Sequence, residues 1–231
     1  MRSKFILIFI GLIFQVSSLH AEVPSVVQQA FEAMSDIEQD SWFYRCTRQE
    51  NDKITVEQHD PGLENPWSLV SINGVAPTEE ESADFVKSKH SESEKPETDK
   101  DDSENSRSFQ MVDLADPDSW KLLSETDTDY VYNFKPQAED AKDAKIMRNL
   151  LGTMTIAKIN PYVKSFSMRA TKAFRPVLMA KVLAMHIQVD FADVGQQEFV
   201  MVKEAEDVTV RVLGKKHHQK SETTCSDFSK T

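Results

Sequence analysis

Cysteine is scarce in this chain of 231 residues, which has only Cys46 and Cys225. Two thiols cannot frame a disulfide-rich miniprotein or supply a four-cysteine zinc site. Bases are also in short supply, with 27 Lys and Arg against 38 Asp and Glu. A chain this acidic is a poor general nucleic-acid binder, so nucleic acid is not an expected partner. Catalytic signatures are missing too. There is no G-x-S-x-G, H-E-x-x-H, P-loop or G-x-G-x-x-G, which leaves no nucleophile elbow, helical zinc pair or phosphate cradle. The adjacent His217 and His218 would point to opposite faces of a strand and make a poor metal site. No metal and no cofactor is implied, and the chain reads as non-enzymatic.

Long apolar runs are absent beyond the N-terminus. Arg2 and Lys4 precede a ten-residue apolar stretch, Phe5 to Phe14, with Ala21 before a possible cut. A spanning helix needs about 20 apolar residues, so residues 1–21 read as a signal peptide. The expected product is exported to the periplasm and does not span the membrane. Setting the leader aside leaves 25 bases against 38 acids, a net charge of −13. An oxidising compartment favours a Cys46–Cys225 disulfide, with two separate buried thiols as the alternative. Closing so long a loop would stabilise by roughly 5 kcal/mol in the chain-entropy model.

Residues 22–231 read as one β-rich domain. Residues 24 to 38 carry apolar positions at spacings of three and four, which predicts a helix. Strands are expected at Trp42–Gln49, Lys53–Gln58 and Trp67–Ile72, the last ending at the turn Asn73-Gly74. Thr78 with Glu81 fits a capping box opening a helix to about His90. Residues 91–107 contain no apolar residue and carry seven acids and three bases, so they read as a disordered acidic insertion within the domain. A hairpin is expected over Trp120–Glu125 and Tyr130–Phe134, then a helix over 138–151 terminated by Gly152. Strand candidates follow at 153–159, 162–174, 177–192, 197–204 and 207–213, with a polar edge strand at 216–226. Their short separators require antiparallel neighbours. The expected architecture is mainly β, a long antiparallel meander forming a curved sheet or incomplete barrel lidded by a few helices.

The stretch LLGTMTIAKINPYVKSFSMRATKAFRPVLMAKVLAMHIQVDF, residues 150–191, resembles exported bacterial proteins with a fold like the outer-membrane lipoprotein carriers, the Lol family. PWSLVSINGVAPTEEE at 66–81, SWKLLSETDTDYVYNFKP at 119–136 and Ser226-Asp227-Phe228 fit the same pattern. The resemblance implies a half-barrel whose helices plug an apolar concavity that holds or senses acyl chains. It transfers no individual functional residue, since the matching pieces are structural.

Two patterns point to candidate sites. Strand alternation places Phe166 and Met168 on one face of 162–174, and Met179, Leu183, Met185 and Ile187 on one face of 177–192. These six are the candidate lining of a lipid cavity, and the abundance of Met suits varied apolar ligands as well as ordinary core packing. Between Asp143 and Asp190 there are eight bases and no acid. Arg169, Lys172, Arg175 and Lys181 from this stretch are the candidate patch for an anionic head group or protein partner. Pairing with acids such as Glu198, Glu204 and Glu206 is the structural alternative. The expected function is binding of a lipid or lipid-linked ligand, the alternative being an envelope protein-interaction module built on basic or edge strands.

Overall fold

The computed structural model describes residues 23–35, 37, 39–93, 115–138 and 141–230. The expected leader and most of the acidic insertion lie outside the described residues. Three helices, α1 (Ser25–Ala33), α2 (Glu79–Ser93) and α3 (Ala141–Met147), accompany eleven strands. The strands are β1 (Trp42–Glu50), β2 (Lys53–His59), β3 (Trp67–Ile72), β4 (Lys121–Glu125), β5 (Asp129–Phe134) and β6 (Leu150–Ala157). The series continues with β7 (Val163–Ala170), β8 (Phe174–Val177), β9 (Ala180–Asp193), β10 (Phe199–Val212) and β11 (Lys215–Lys230). All pair antiparallel in one open sheet, β3-β2-β1-β11-β10-β9-β7-β6-β5-β4, with β8 added beside β9. The mainly β, open antiparallel architecture is the one the short separators demand.

The sheet is not a simple meander. The first and last strands are neighbours, so β3 and β4, consecutive in the chain, form its two edges. The polar strand expected at an edge is therefore internal. β11 pairs with β10 on one side and β1 on the other, and Cys46 and Cys225 are register partners joined by a disulfide. A disulfide and two partial ladders, β10 along Lys215–Thr224 and β1 along Ser221–Lys230, hold a strand that buries little apolar surface. Likewise, 197–204 and 207–213 form one strand, because Ala205 and Glu206 keep their partners Gln188 and Ile187.

Helix ends also differ from expectation. The first helix stops at Ala33. The third ends at Met147, and Leu150 and Leu151 begin β6. Gly152 is thus a strand residue rather than a helix terminator. It sits opposite Phe134, and a Cβ on it would lie 2.1 Å from the tip of that ring. The aromatic ring takes the space of the missing side chain.

The core lies between α1 and the strands β5–β7. Val27, Ala30 and Met34 of the N-terminal segment pack against Phe134, Met154, Ile156, Val163 and Phe166. This side of the sheet is called the inner face below. Phe134 stacks on Trp120 at 4.8 Å and on Phe166 at 5.8 Å between ring centres. A second cluster joins Trp42, Tyr44, Cys46, Val200 and Cys225 across the chain termini.

Candidate functional site

Direct partners in an antiparallel ladder point to the same side, so register assigns the inner face across the whole sheet. One row runs Tyr132, Met154, Phe166, Val189, Glu204, Thr223, Arg48, Thr55. The next runs Phe134, Gly152, Met168, Ile187, Glu206, Ser221, Glu50, Lys53. The inner face therefore has an apolar half on β5–β9 and a polar half on β10, β11, β1 and β2.

In the apolar half, α1 covers one end. Phe166 is buried in the core beneath it. Met168, Met185, Ile187 and Val189 are only half-buried. Met168 and Met185 border a small cluster of Leu150, Phe174 and Val182 that seats β8 and α3. Leu183 is the extra residue of a β-bulge, since Val182 pairs with Val210 and Ala184 with Thr209. A bulge slips the phase of the alternation by one. That slip brings Val182 onto the side of Met185, and it explains why the strand reads apolar on both faces before Leu183. It also separates Met179 from the other lining candidates. Met179 is in the turn between β8 and β9 and is exposed.

The four candidate cations do not line this strip. Arg169 partners His186 on the outer face. Lys181 partners Arg211, also on the outer face, where Lys216 partners Arg211 in turn. Lys172 is exposed in the turn before β8, and the Arg175 guanidinium donates to the Leu178 carbonyl at 3.2 Å. Nor do they pair with the acids considered above. Glu198 pairs with Lys230, while Glu204 and Glu206 lie on the inner face beside Val189 and Ile187. His217 and His218 point to opposite sides, and the His218 imidazole reaches Asp207 at 3.0 Å. Among the described residues no three His, Cys, Asp or Glu side chains converge as a metal site.

The polar half carries a feature that the sequence did not announce. The capping box holds the start of α2, with the Thr78 N–H donating to Glu81 at 2.8 Å and the Glu81 N–H donating to Thr78 Oγ1 at 3.2 Å. The Thr78 N–H and the Thr78 hydroxyl, the latter at 2.9 Å, both donate to the Glu81 carboxylate and hold it below the usual carboxylate range. α2 packs on β3 and places Lys89 Nζ 4.4 Å from the Trp67 ring centre and 5.3 Å from that of Phe85. Lys89 also pairs at 2.9 Å with Glu57, which is buried. Beyond them Arg48, Glu50, Lys53, Thr55 and Ser88 complete a groove of about 170 Å³. Ligand pockets run to roughly 300–1,000 Å³, so this groove suits a small polar group rather than an acyl chain.

Behind the groove Phe228, Tyr44 and His59 form an aromatic stack and Trp67 meets His59 edge to face, with neighbouring ring centres 4.9–5.4 Å apart. The Trp42 carbonyl accepts a 2.8 Å hydrogen bond from His59 Nδ1, which fixes the proton on that nitrogen. Burial, aided by the Asp40 charge, pushes the Tyr44 hydroxyl up to about 12. No nucleophile and base meet here, and the stack works as packing around the disulfide.

Comparison of the chain with protein-family models, with curated proteins and with solved structures finds no match in any of the three. Among the described residues no helix is long and apolar enough to cross a membrane.

Proposed function

We propose that this is an exported, periplasmic, non-enzymatic protein that binds an acyl chain, as a lipid or a lipid-linked ligand, on the apolar half of its inner face. One observation carries the reading. The strip Met168, Met185, Ile187 and Val189 is half-buried on a sheet face whose other end is fully packed beneath α1. A rigid sheet edged by flexible methionine offers an adaptable apolar surface beside a fixed core. The cross-strand disulfide supports an oxidising compartment. The resemblance of residues 150–191 to the lipoprotein-carrier fold supports the same ligand class.

The occupant is an alkyl chain lying across β7 and β9. Phe166 serves as the floor beneath α1, while Met179 takes no part. Titration with a fluorescent fatty acid tests this. Binding is expected in the wild type and lost in Met185→Asp or Ile187→Asp variants that melt like the wild type. Unchanged binding in both variants would remove the strip as the site.

A second reading has its own support. β4 is an open edge strand with Leu122 and Leu123 exposed. An unpaired edge is a template for adding a partner strand. An envelope protein docked there would lose its grip when Leu123 is replaced by Pro, with fatty-acid binding unaltered.

A further inference from the structure

Two hairpin tips lie side by side at one end of the sheet. The β8–β9 turn and the β10–β11 turn are joined by a hydrogen bond from the Leu213 N–H to the Met179 carbonyl at 3.1 Å. Both tips are aliphatic and open to solvent. Val177 is 55 % exposed, Leu178 89 %, Met179 64 % and Leu213 72 %. Side chains this large are normally covered, and four together on one apex form a patch that calls for a partner. The apex is firmly seated, because Phe174 and Val182 at its base are buried against Leu150.

Charge surrounds the patch and has one sign. Arg175, Lys181, Arg211, Lys215 and Lys216 flank the two turns, and no acid occurs in 171–182 or 208–217. Lys181, Arg211 and Lys216 are successive register partners across β9, β10 and β11. Three like charges side by side repel one another, and among the described residues no carboxylate pairs with them. The nearest acid on these strands, Asp207, is engaged by His218. Such a row is costly unless something anionic covers it.

We infer that this apex docks on an anionic phospholipid membrane surface. The spacing fits the layers of a bilayer interface. Lys181 stands two residues behind Met179 and Arg211 two before Leu213, or about 7 Å back at the usual strand rise. Interfacial segments bury their apolar face about 5–10 Å into the head-group boundary, which sets these cations at the phosphate level. An acidic protein partner fits less well. Protein interfaces are centred on aromatic or arginine anchors in a patch of roughly 800 Å² per partner, and here the apex is a narrow pair of aliphatic turns. This inference goes beyond the acyl-binding reading, and it stands or falls separately because the apex and the inner strip share no residue.

Co-sedimentation of the full chain with vesicles of phosphatidylcholine, alone or mixed with phosphatidylglycerol, tests it. The wild type is expected to bind the mixed vesicles and to release them at high salt. Arg211→Gln with Lys216→Gln should weaken binding about 25-fold, at roughly fivefold per cation removed. Leu178→Ser with Leu213→Ser should weaken it by about tenfold or more. All four positions are exposed, so the variants should melt as the wild type does. Equal binding to both vesicle types, or full binding by the leucine variant, would overturn the inference. Binding to poly-L-glutamate without vesicle binding would overturn it too, in favour of an acidic protein partner. Loss of fatty-acid binding in the inner-strip variants would leave this result untouched.

Discussion

Replacing Gly152 with alanine adds one methyl group at the centre of the main core. On the present backbone that Cβ would lie 2.1 Å from Phe134 Cζ and 2.4 Å from both Cε atoms. Real contacts need well over 3 Å, so the ring or the strand must move. The ring has nowhere to go. Phe134 is 1 % exposed and is held by Trp120 and Phe166 on its faces. Overpacking of a filled core costs typically 1–3 kcal/mol, and this site belongs at or above the upper end, about 3 kcal/mol. For a domain of this size each kcal/mol lowers Tm by roughly 2–4 °C, giving a fall of about 6–12 °C. Urea denaturation should show a lower midpoint at unchanged slope. The double variant Gly152→Ala with Phe134→Leu should recover part of the loss, because the two positions are in contact and therefore coupled. A Gly152→Ala protein within about 0.5 kcal/mol of wild type, the range of neutral surface changes, would show that the ring does not occupy this space.

Four further outcomes are expected. Thiol titration of the denatured, unreduced protein should find no free cysteine. Cys46→Ser with Cys225→Ser should cost up to about 5 kcal/mol in the chain-entropy model, read as a large fall in Tm. Tyr44 titrates in the folded protein at about 12 against 10.0 ordinarily, mainly through burial. Its neutral form is favoured on folding, so its contribution is complete below pH 10 and disappears as pH rises toward 12. Two units correspond to about 3 kcal/mol, and urea midpoints across that window should fall in the wild type more steeply than in Tyr44→Phe. Lys89→Met strands the buried Glu57 carboxylate and should destabilise by about 3 kcal/mol, whereas Lys89→Met with Glu57→Gln should recover most of it in a denaturant series.

Much of the fold is readable because its determinants are local. Thr78 and Glu81 announce a helix start through a hydrogen-bond pattern written in four residues. Asn73 and Gly74 adopt positive φ at a two-residue turn, as their side chains permit. Short separators force antiparallel pairing without any knowledge of the partner strands. What escapes is non-local. The bulge at Leu183 breaks a two-residue period that otherwise assigns Met179 and Met185 to one face, and only the β10 partner reveals it. β11 looks like an edge because its own residues are polar, and its central place depends on β1 at the far end of the chain. Leu150-Leu151 extends a helical apolar pattern into a strand, since a helix face and a buried strand share such pairs. The groove between α2 and β2 draws Arg48, Glu57, Phe85 and Lys89 from separate elements. Its one sequence signal is the alternation of charged residues along β1 and β2, which a solvated hairpin would also show. The basic stretch was visible as a count, but register alone shows that Arg169 and Lys181 face away from the apolar strip.

The half-covered strip of Met168, Met185 and Ile187 is the proposed seat of an alkyl chain. Native mass spectrometry of protein purified from its own envelope without detergent, followed by organic extraction, addresses this directly. The prediction is an adduct whose mass matches an extracted acyl lipid, absent from the Ile187→Asp protein. Bare polypeptide mass, with no adduct after incubation with added fatty acid, would contradict it and mark the inner face as packing alone.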